Sequence, residues 1–269
     1  MSKTILITGA TDGIGLETSK ILAARGHRLL AHGRNAEKLA ATQALLSQIG
    51  GACEVETYQA DLTRLDEVAE LADAVSTRHK QLDILINNAG VFKLAGPTVV
   101  GGMDVRFLVN TIAPYVLTKR LLPLMSSQAR VVNLSSAAQA SVDLEALSGN
   151  HILGDNEAYA QSKLAITMWS FHMARSLANE GPAIIAVNPA SFLASKMVKN
   201  AYGMAGNDLG IGADILMRAA TSEKFADASG RYYDNDNKRF ADPHPDALKP
   251  QKNEQLVRMI EKFLAQHNN

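Results

Sequence analysis

Hydrophobic and polar positions alternate along this chain between two kinds of segment. Short β-branched and apolar runs predict strands at 3–8, 27–33, 53–59, 82–87, 129–135 and 182–188, with a weaker one near 230–233. Ile84-Leu85-Ile86 and Ile184-Ile185-Ala186-Val187 are apolar throughout, as parallel strands covered on both faces should be. Between the strands, amphipathic stretches at 14–25, 35–49, 64–79, 102–124 and 157–179 predict helices, and a closing helix is expected at about 252–266. Such alternation calls for right-handed crossovers. The expected fold is therefore α/β, a Rossmann-type, doubly wound parallel sheet of about seven strands with helices on both faces. No repeat, low-complexity tract or linker divides the chain, so residues 1–269 are expected to form a single domain. The irregular stretch around 190–212 keeps its apolar residues and reads as a substrate lobe. Residues 234–250 are polar and broken by proline. Asp234-Asn235-Asp236-Asn237 lacks the spacing and final Glu of a calcium loop, so a solvated loop is expected there.

Composition narrows the function. Lys+Arg and Asp+Glu are equal at 27 each, which argues against nucleic acid or an anionic membrane as a main partner. A lone cysteine, Cys53, forms neither an intramolecular disulfide nor a cysteine metal cluster, and no metal is expected. No run of 18 apolar residues predicts a membrane span. Met1-Ser2-Lys3 leads straight into Thr4-Ile5-Leu6-Ile7, too short for a secretory core, so a cytoplasmic location is expected.

The first strand ends in Thr8-Gly9-Ala10-Thr11-Asp12-Gly13-Ile14-Gly15, and a helix follows at once. Glycines allow a tight turn and close approach to a pyrophosphate, and the helix's free N–H groups favour its charge. An ordinary tight turn is the competing reading, weakened by the position directly after the first strand. The second strand ends His32-Gly33-Arg34 without the acid that would read a free ribose 2′-hydroxyl. Arg34 either grips a 2′-phosphate or caps the next helix. The first favours NADP(H) over NAD(H), with Asp12 as a counterweight.

Tyr159 and Lys163 lie four residues apart in a predicted helix, on one face and within mutual reach. A free tyrosine titrates near about 10, too high for an efficient base, and a neighbouring ammonium favours the phenolate. Asn87-Asn88-Ala89-Gly90 closes the fourth strand, Asn110 lies in the helix after it, and Ser135-Ser136 closes the fifth strand. A serine at that edge would donate to a substrate oxygen as charge develops.

With these features in chain order, the sequence resembles the short-chain dehydrogenases/reductases from its first strand to at least Pro189. The resemblance implies hydride transfer between a nicotinamide cofactor and an alcohol/carbonyl pair. It implies Tyr159 as acid/base, Lys163 as its electrostatic partner, Ser136 as carbonyl polariser and Asn110 as holder of a water relay. For the cofactor it implies Gly9, Thr11, Asp12, Gly13, Ile14 and Gly15 in the loop, with Arg34. It adds Asp61 and Leu62 around the adenine, and Asn87, Ala89, Gly90 and Pro189 near the floor, besides Tyr159 and Lys163.

Three departures stand out. Twenty-three positions separate Ser136 from Tyr159, against about a dozen commonly. With Ser229-Gly230-Arg231-Tyr232-Tyr233, this lengthened segment resembles the retinol-dehydrogenase-like branch. Ala190 stands where the family usually has glycine, which should restrict the backbone. Finally, strand alternation turns only one of Ser135 and Ser136 inward, and the family's pattern favours Ser136.

The expected partner is a small alcohol or carbonyl. Phe192, Leu193, Met197, Val198, Tyr202, Met204, Leu144, Leu147 and Ile152 suggest either an apolar pocket or lobe packing. His151 is expected at the surface. A homo-oligomer through helix faces is left open, as is a cofactor-binding sensor or scaffold without catalysis.

Overall fold

The computed structural model describes residues 2–49, 54–94, 96–178, 180–193 and 206–267. Ten strands are assigned among them: β1 (Thr4–Ile7), β2 (Arg28–Gly33), β3 (Val55–Gln59), β4 (Ile84–Asn87), β5 (Val99–Val100), β6 (Met103–Asp104), β7 (Arg130–Leu134), β8 (Ala183–Asn188), β9 (Arg231–Asp234) and β10 (Arg239–Ala241). The helices are α1 (Gly13–Ala24), α2 (Ala36–Ile49), α3 (Leu65–Arg78), α4 (Val105–Phe107), α5 (Ala113–Leu121), α6 (Leu144–Leu147), α7 (Asp155–Leu177), α8 (Leu209–Thr221) and α9 (Pro250–His267).

Eight strands form the main sheet in the order β10-β9-β8-β7-β4-β1-β2-β3, parallel except for β10, while β5 and β6 pair separately. Successive residues of the central strands feed two different cores. Ile5, Ile7, Leu29, Ala31, Ile84, Ile86 and Val132 face one layer, with Leu22, Leu46 and Leu216. Leu6, Leu30, Leu85 and Val131 face the other, with Leu71, Val75, Leu164, Trp169 and Ile260. This is why those strands are apolar at every position. Burying each such Leu, Ile or Val side chain contributes about 1.5–3 kcal/mol.

The C-terminal helix α9 lies over α7, burying Leu256, Val257 and Ile260. It also reaches α5, where Glu261 accepts hydrogen bonds from Tyr115 and Lys119, both at 2.5 Å.

The parallel sheet is the one expected, its eight strands close to the predicted seven, with β9 continuing into β10. Two expectations are corrected. Part of 234–250 is a hairpin followed by a short 3-10 turn, Pro245–Leu248, rather than a solvated loop. The pattern hid it because β10 offers one large apolar side chain, Phe240, which packs edge-on against Tyr233 at 5.2 Å. Helix 102–124 is interrupted: β6 takes its start, and a π-helical turn spans Leu108–Ile112. Met197, Val198, Tyr202, Met204 and Cys53 lie outside the described residues.

Candidate active site

Strands β1 and β4 are neighbours, yet their connections leave toward opposite edges of the sheet. A crevice forms at the carboxyl ends where the order reverses. Side chains join the two ends directly. Asn88 Nδ2 donates to the carbonyls of Thr8 at 2.8 Å and Gly9 at 3.2 Å. Thr8 Oγ1 accepts from the Asn88 and Ala89 amides, both at 3.0 Å. Neither Thr8 nor Asn88 was singled out from the sequence, although both lie inside the motifs that flagged the site.

Gly9 and Gly13 adopt φ of 68° and 52°, a region that favours glycine. At Gly15, an added Cβ would fall 2.2 Å from the Gly9 carbonyl oxygen. Asp12 caps α1 by accepting from the Gly13 amide at 2.9 Å, and Lys38 Nζ stands 3.9 Å from its other oxygen. Thr11 covers Gly33 so closely that a Cβ there would lie 2.7 Å from the Thr11 methyl. Arg34 is exposed at the end of β2. Lys38, in the first turn of α2, is a second cation that sequence reasoning missed because it looks like any helix-surface lysine.

His32 ties this region together. Its Nδ1 accepts from the Gly9 amide at 3.3 Å, while Nε2 faces the Ala60 carbonyl at 3.0 Å, which places the proton on Nε2. Burial pushes the imidazole down to about 4, so it is neutral at neutral pH. Beyond Ala60, Asp61 Oδ1 accepts from the amide and hydroxyl of Thr63, both at 2.9 Å, shaping the turn into α3. Leu62 is buried in the core.

On the other side of the crevice, Tyr159 and Lys163 share a face of α7. Lys163 Nζ donates to the Leu134 carbonyl at 2.8 Å and lies 5.8 Å from the Tyr159 ring centroid. Burial lowers its ammonium to about 8, which still leaves it charged at neutral pH. Asn110 sits in the π turn, with Oδ1 accepting from the Val91 amide at 2.8 Å. Its Nδ2 donates to the Val91 carbonyl and to Ser162 Oγ, both at 2.9 Å. Pro114 has no N–H to give the Asn110 carbonyl in the α register. Gly90 completes the cluster, since a Cβ there would lie 3.3 Å from Asn110 Oδ1 and 3.4 Å from Lys163 Nζ.

Ser135 and Ser136 divide as alternation requires. Ser135 is buried, its Oγ 2.7 Å from Thr167 Oγ1 and 3.1 Å from the Lys163 carbonyl. Ser136 is half-buried, and its Oγ accepts from the Ala138 amide at 3.1 Å. Asn87 is directed beneath the crevice, donating to Asn133 Oδ1 at 2.8 Å and Thr118 Oγ1 at 3.1 Å. Ala190 takes φ of 115°, so the glycine-like backbone persists despite the side chain. Its neighbours are anchored by the hairpin: Asn235 Nδ2 donates to the Pro189 carbonyl at 2.9 Å, and Asp236 accepts from the Ser191 amide at 2.8 Å. Leu193 is buried, whereas Ile152 and Phe192 are exposed; His151 is at the surface, paired with Asp143.

Residues 3–206 match the family model for short chain dehydrogenase. The chain belongs to that family. As a short-chain dehydrogenase it is an NAD(P)-dependent oxidoreductase of the retinol-dehydrogenase-like branch. It is 30% identical over 254 residues to retinol dehydrogenase 13 of Homo sapiens, covering 86% of this chain and 76% of that protein. A crystal structure of a putative uncharacterized protein from Mycobacterium Paratuberculosis matches with a TM-score of 0.80 at 25% identity, covering 97% and 92% of the two chains. The Pseudomonas aeruginosa RhlG/NADP active-site complex matches with a TM-score of 0.69 at 25% identity, covering 86% and 94%.

Two outcomes follow for this short-chain dehydrogenase. Gly15→Ala should abolish binding of the reduced nicotinamide cofactor, NADH or NADPH, measured by fluorescence titration, because its Cβ must displace the Gly9 backbone; unchanged binding would contradict the tight loop. His32 is held neutral when folded but takes up a proton near about 6.5 when unfolded. Stability should therefore fall as pH drops from 6.5 toward 4, and denaturant unfolding of His32→Gln should show a smaller loss across that window.

Proposed function

We propose that this protein interconverts an alcohol and a carbonyl using NADP(H), with Tyr159 as acid/base. The observation that carries this reading is the cluster at the strand ends, where Lys163 Nζ lies 5.8 Å from the Tyr159 ring and meets Asn110 around Gly90, with Ser136 just past the end of β7. The site fits a dinucleotide: the loop closes so tightly at the N-terminus of α1 that a Cβ on Gly15 would lie 2.2 Å from the Gly9 carbonyl oxygen, leaving a cradle of bare backbone for a pyrophosphate. Gly13, Thr11, Ile14 and the capping Asp12 shape that cradle; Asp61 and Leu62 border the adenine end, and Asn87, Ala89, Gly90 and Pro189 the nicotinamide end.

When bound, the cofactor supplies or accepts hydride at the nicotinamide ring. The residues do the rest. In reduction, Tyr159 gives its proton to the carbonyl oxygen as negative charge develops, and Ser136 Oγ donates a hydrogen bond to the same atom. The Lys163 ammonium favours the resulting phenolate. Asn110, whose carbonyl receives no α-register N–H from Pro114, holds a water that returns the proton. Arg34 and Lys38 form a cationic end to β2 suited to a 2′-phosphate, in keeping with the NADP complex among the structural relatives. An apolar substrate fits the exposed Ile152, 76% accessible in the segment leading to α7, and Phe192, 50% accessible. The name of the related retinol dehydrogenase points the same way.

The test follows absorbance of NADPH against a panel of aliphatic and aromatic aldehydes and ketones. Tyr159→Phe should lose ~10²–10⁴-fold in turnover while still binding NADPH; wild-type turnover in that variant would end the reading. Arg34→Ala should raise the KM for NADPH by about 10-fold or more and leave that for NADH little changed. Equal KM values for NADPH before and after substitution would remove the phosphate-binding role.

A further inference from the structure

Arg106 is buried out of water, 1% exposed, close to the acid/base tyrosine and outside the set of residues that touch the reacting atoms. One edge of its guanidinium is fixed by Asp104: Nε donates to Oδ1 at 2.8 Å and Nη2 to Oδ2 at 2.6 Å. Such bidentate pairing orients the planar fork. Asp104 also caps α4 by accepting from the Arg106 amide at 2.8 Å. The remaining nitrogen, Nη1, then points away from this pair toward two separate walls of the crevice. It donates to the Phe92 carbonyl at 3.4 Å and to the carboxylate of Asp155.

Both contacts lead to Tyr159. The Phe92 ring lies 4.5 Å from the Tyr159 ring, centroid to centroid, tilted by 40°. Asp155 is the first residue of α7, one turn before Tyr159. The same loop is pinned one residue earlier by Asn110, through both backbone groups of Val91. Arg106 thus ties the Phe92 carbonyl to the first residue of α7 through a single nitrogen.

We propose that Arg106, oriented by Asp104, is a positioning residue that sets the Tyr159 ring by holding Phe92 and the first turn of α7 together. This rests on the oxidoreductase reading above. A misplacement of the reacting group by about 1 Å is enough to cost on the order of 10²-fold in rate. The loss falls on proton transfer, not on cofactor binding, because none of the three contacts reaches the glycine loop.

The experiment compares Asp155→Asn, Arg106→Lys and Arg106→Gln with the wild type, using a carbonyl compound from the panel that the wild type reduces. Turnover, KM, the pH–rate profile, NADPH affinity and Tm are measured for each. Asp155 is half in solvent, at 46% side-chain exposure, so Asp155→Asn should fold even where the Arg106 variants do not, and it decides the matter alone if necessary. The expected result is a fall in kcat of about 10-fold, a shift of the pH–rate profile, and NADPH affinity within about twofold of wild type. Arg106→Lys, where it folds, should recover part of the activity lost in Arg106→Gln. An active wild type whose kcat and pH profile survive Asp155→Asn unchanged would overturn the proposal. A wild type that reduces nothing in the panel would instead remove the reaction itself, and this role with it.

Discussion

The crevice exists because β1 and β4 end together, and the hydrogen bonds between Thr8 and Asn88 hold those ends in place. Both residues use backbone and side chain at once, so four polar groups that strand ends leave open are satisfied across a gap of two side chains. The glycine loop leaves from one side of this joint and the Ala89-Gly90-Val91 segment from the other. Their separation is therefore set before any cofactor arrives. His32 then extends the joint sideways to Ala60, and Asn110 extends it to α7 through Ser162, whose Oγ donates to the Tyr159 carbonyl at 2.7 Å.

The alternating apolar runs predicted the central strands to within a residue or two, because every position in β1, β4 and β8 is covered by one helical layer or the other. The same logic failed at β10, whose single large apolar side chain leaves no pattern to read. It also failed between 102 and 124, where apolar spacing continues smoothly through a hairpin strand and a π turn. Hydrophobic periodicity reports which face is buried, not which carbonyl bonds to which amide. Pro114 was visible in the sequence, but its effect depends on Asn110 lying four residues earlier in an already formed helix.

For the candidate site, Tyr159, Lys163, Asn110 and Ser136 could be named from the sequence because their chemistry and order are unusual together. The residues that hold them could not. His32, Asn88 and Arg106 act through partners 14 to 80 positions away, so that even Asn88, inside a recognised motif, does not show in the sequence what it holds. Ala190 shows the opposite case. Its departure from glycine was plain, yet the backbone keeps a positive φ because Asn235 and Asp236, far along the chain, hold both sides of it.

The last helix gives the enzyme a partner of its own making. By lying across α7 and fastening to α5 through Glu261, α9 covers apolar surface that would otherwise face solvent or another protein molecule. A second copy approaching through these helices would compete with a segment tethered to the same chain, whose effective concentration is on the order of millimolar or higher.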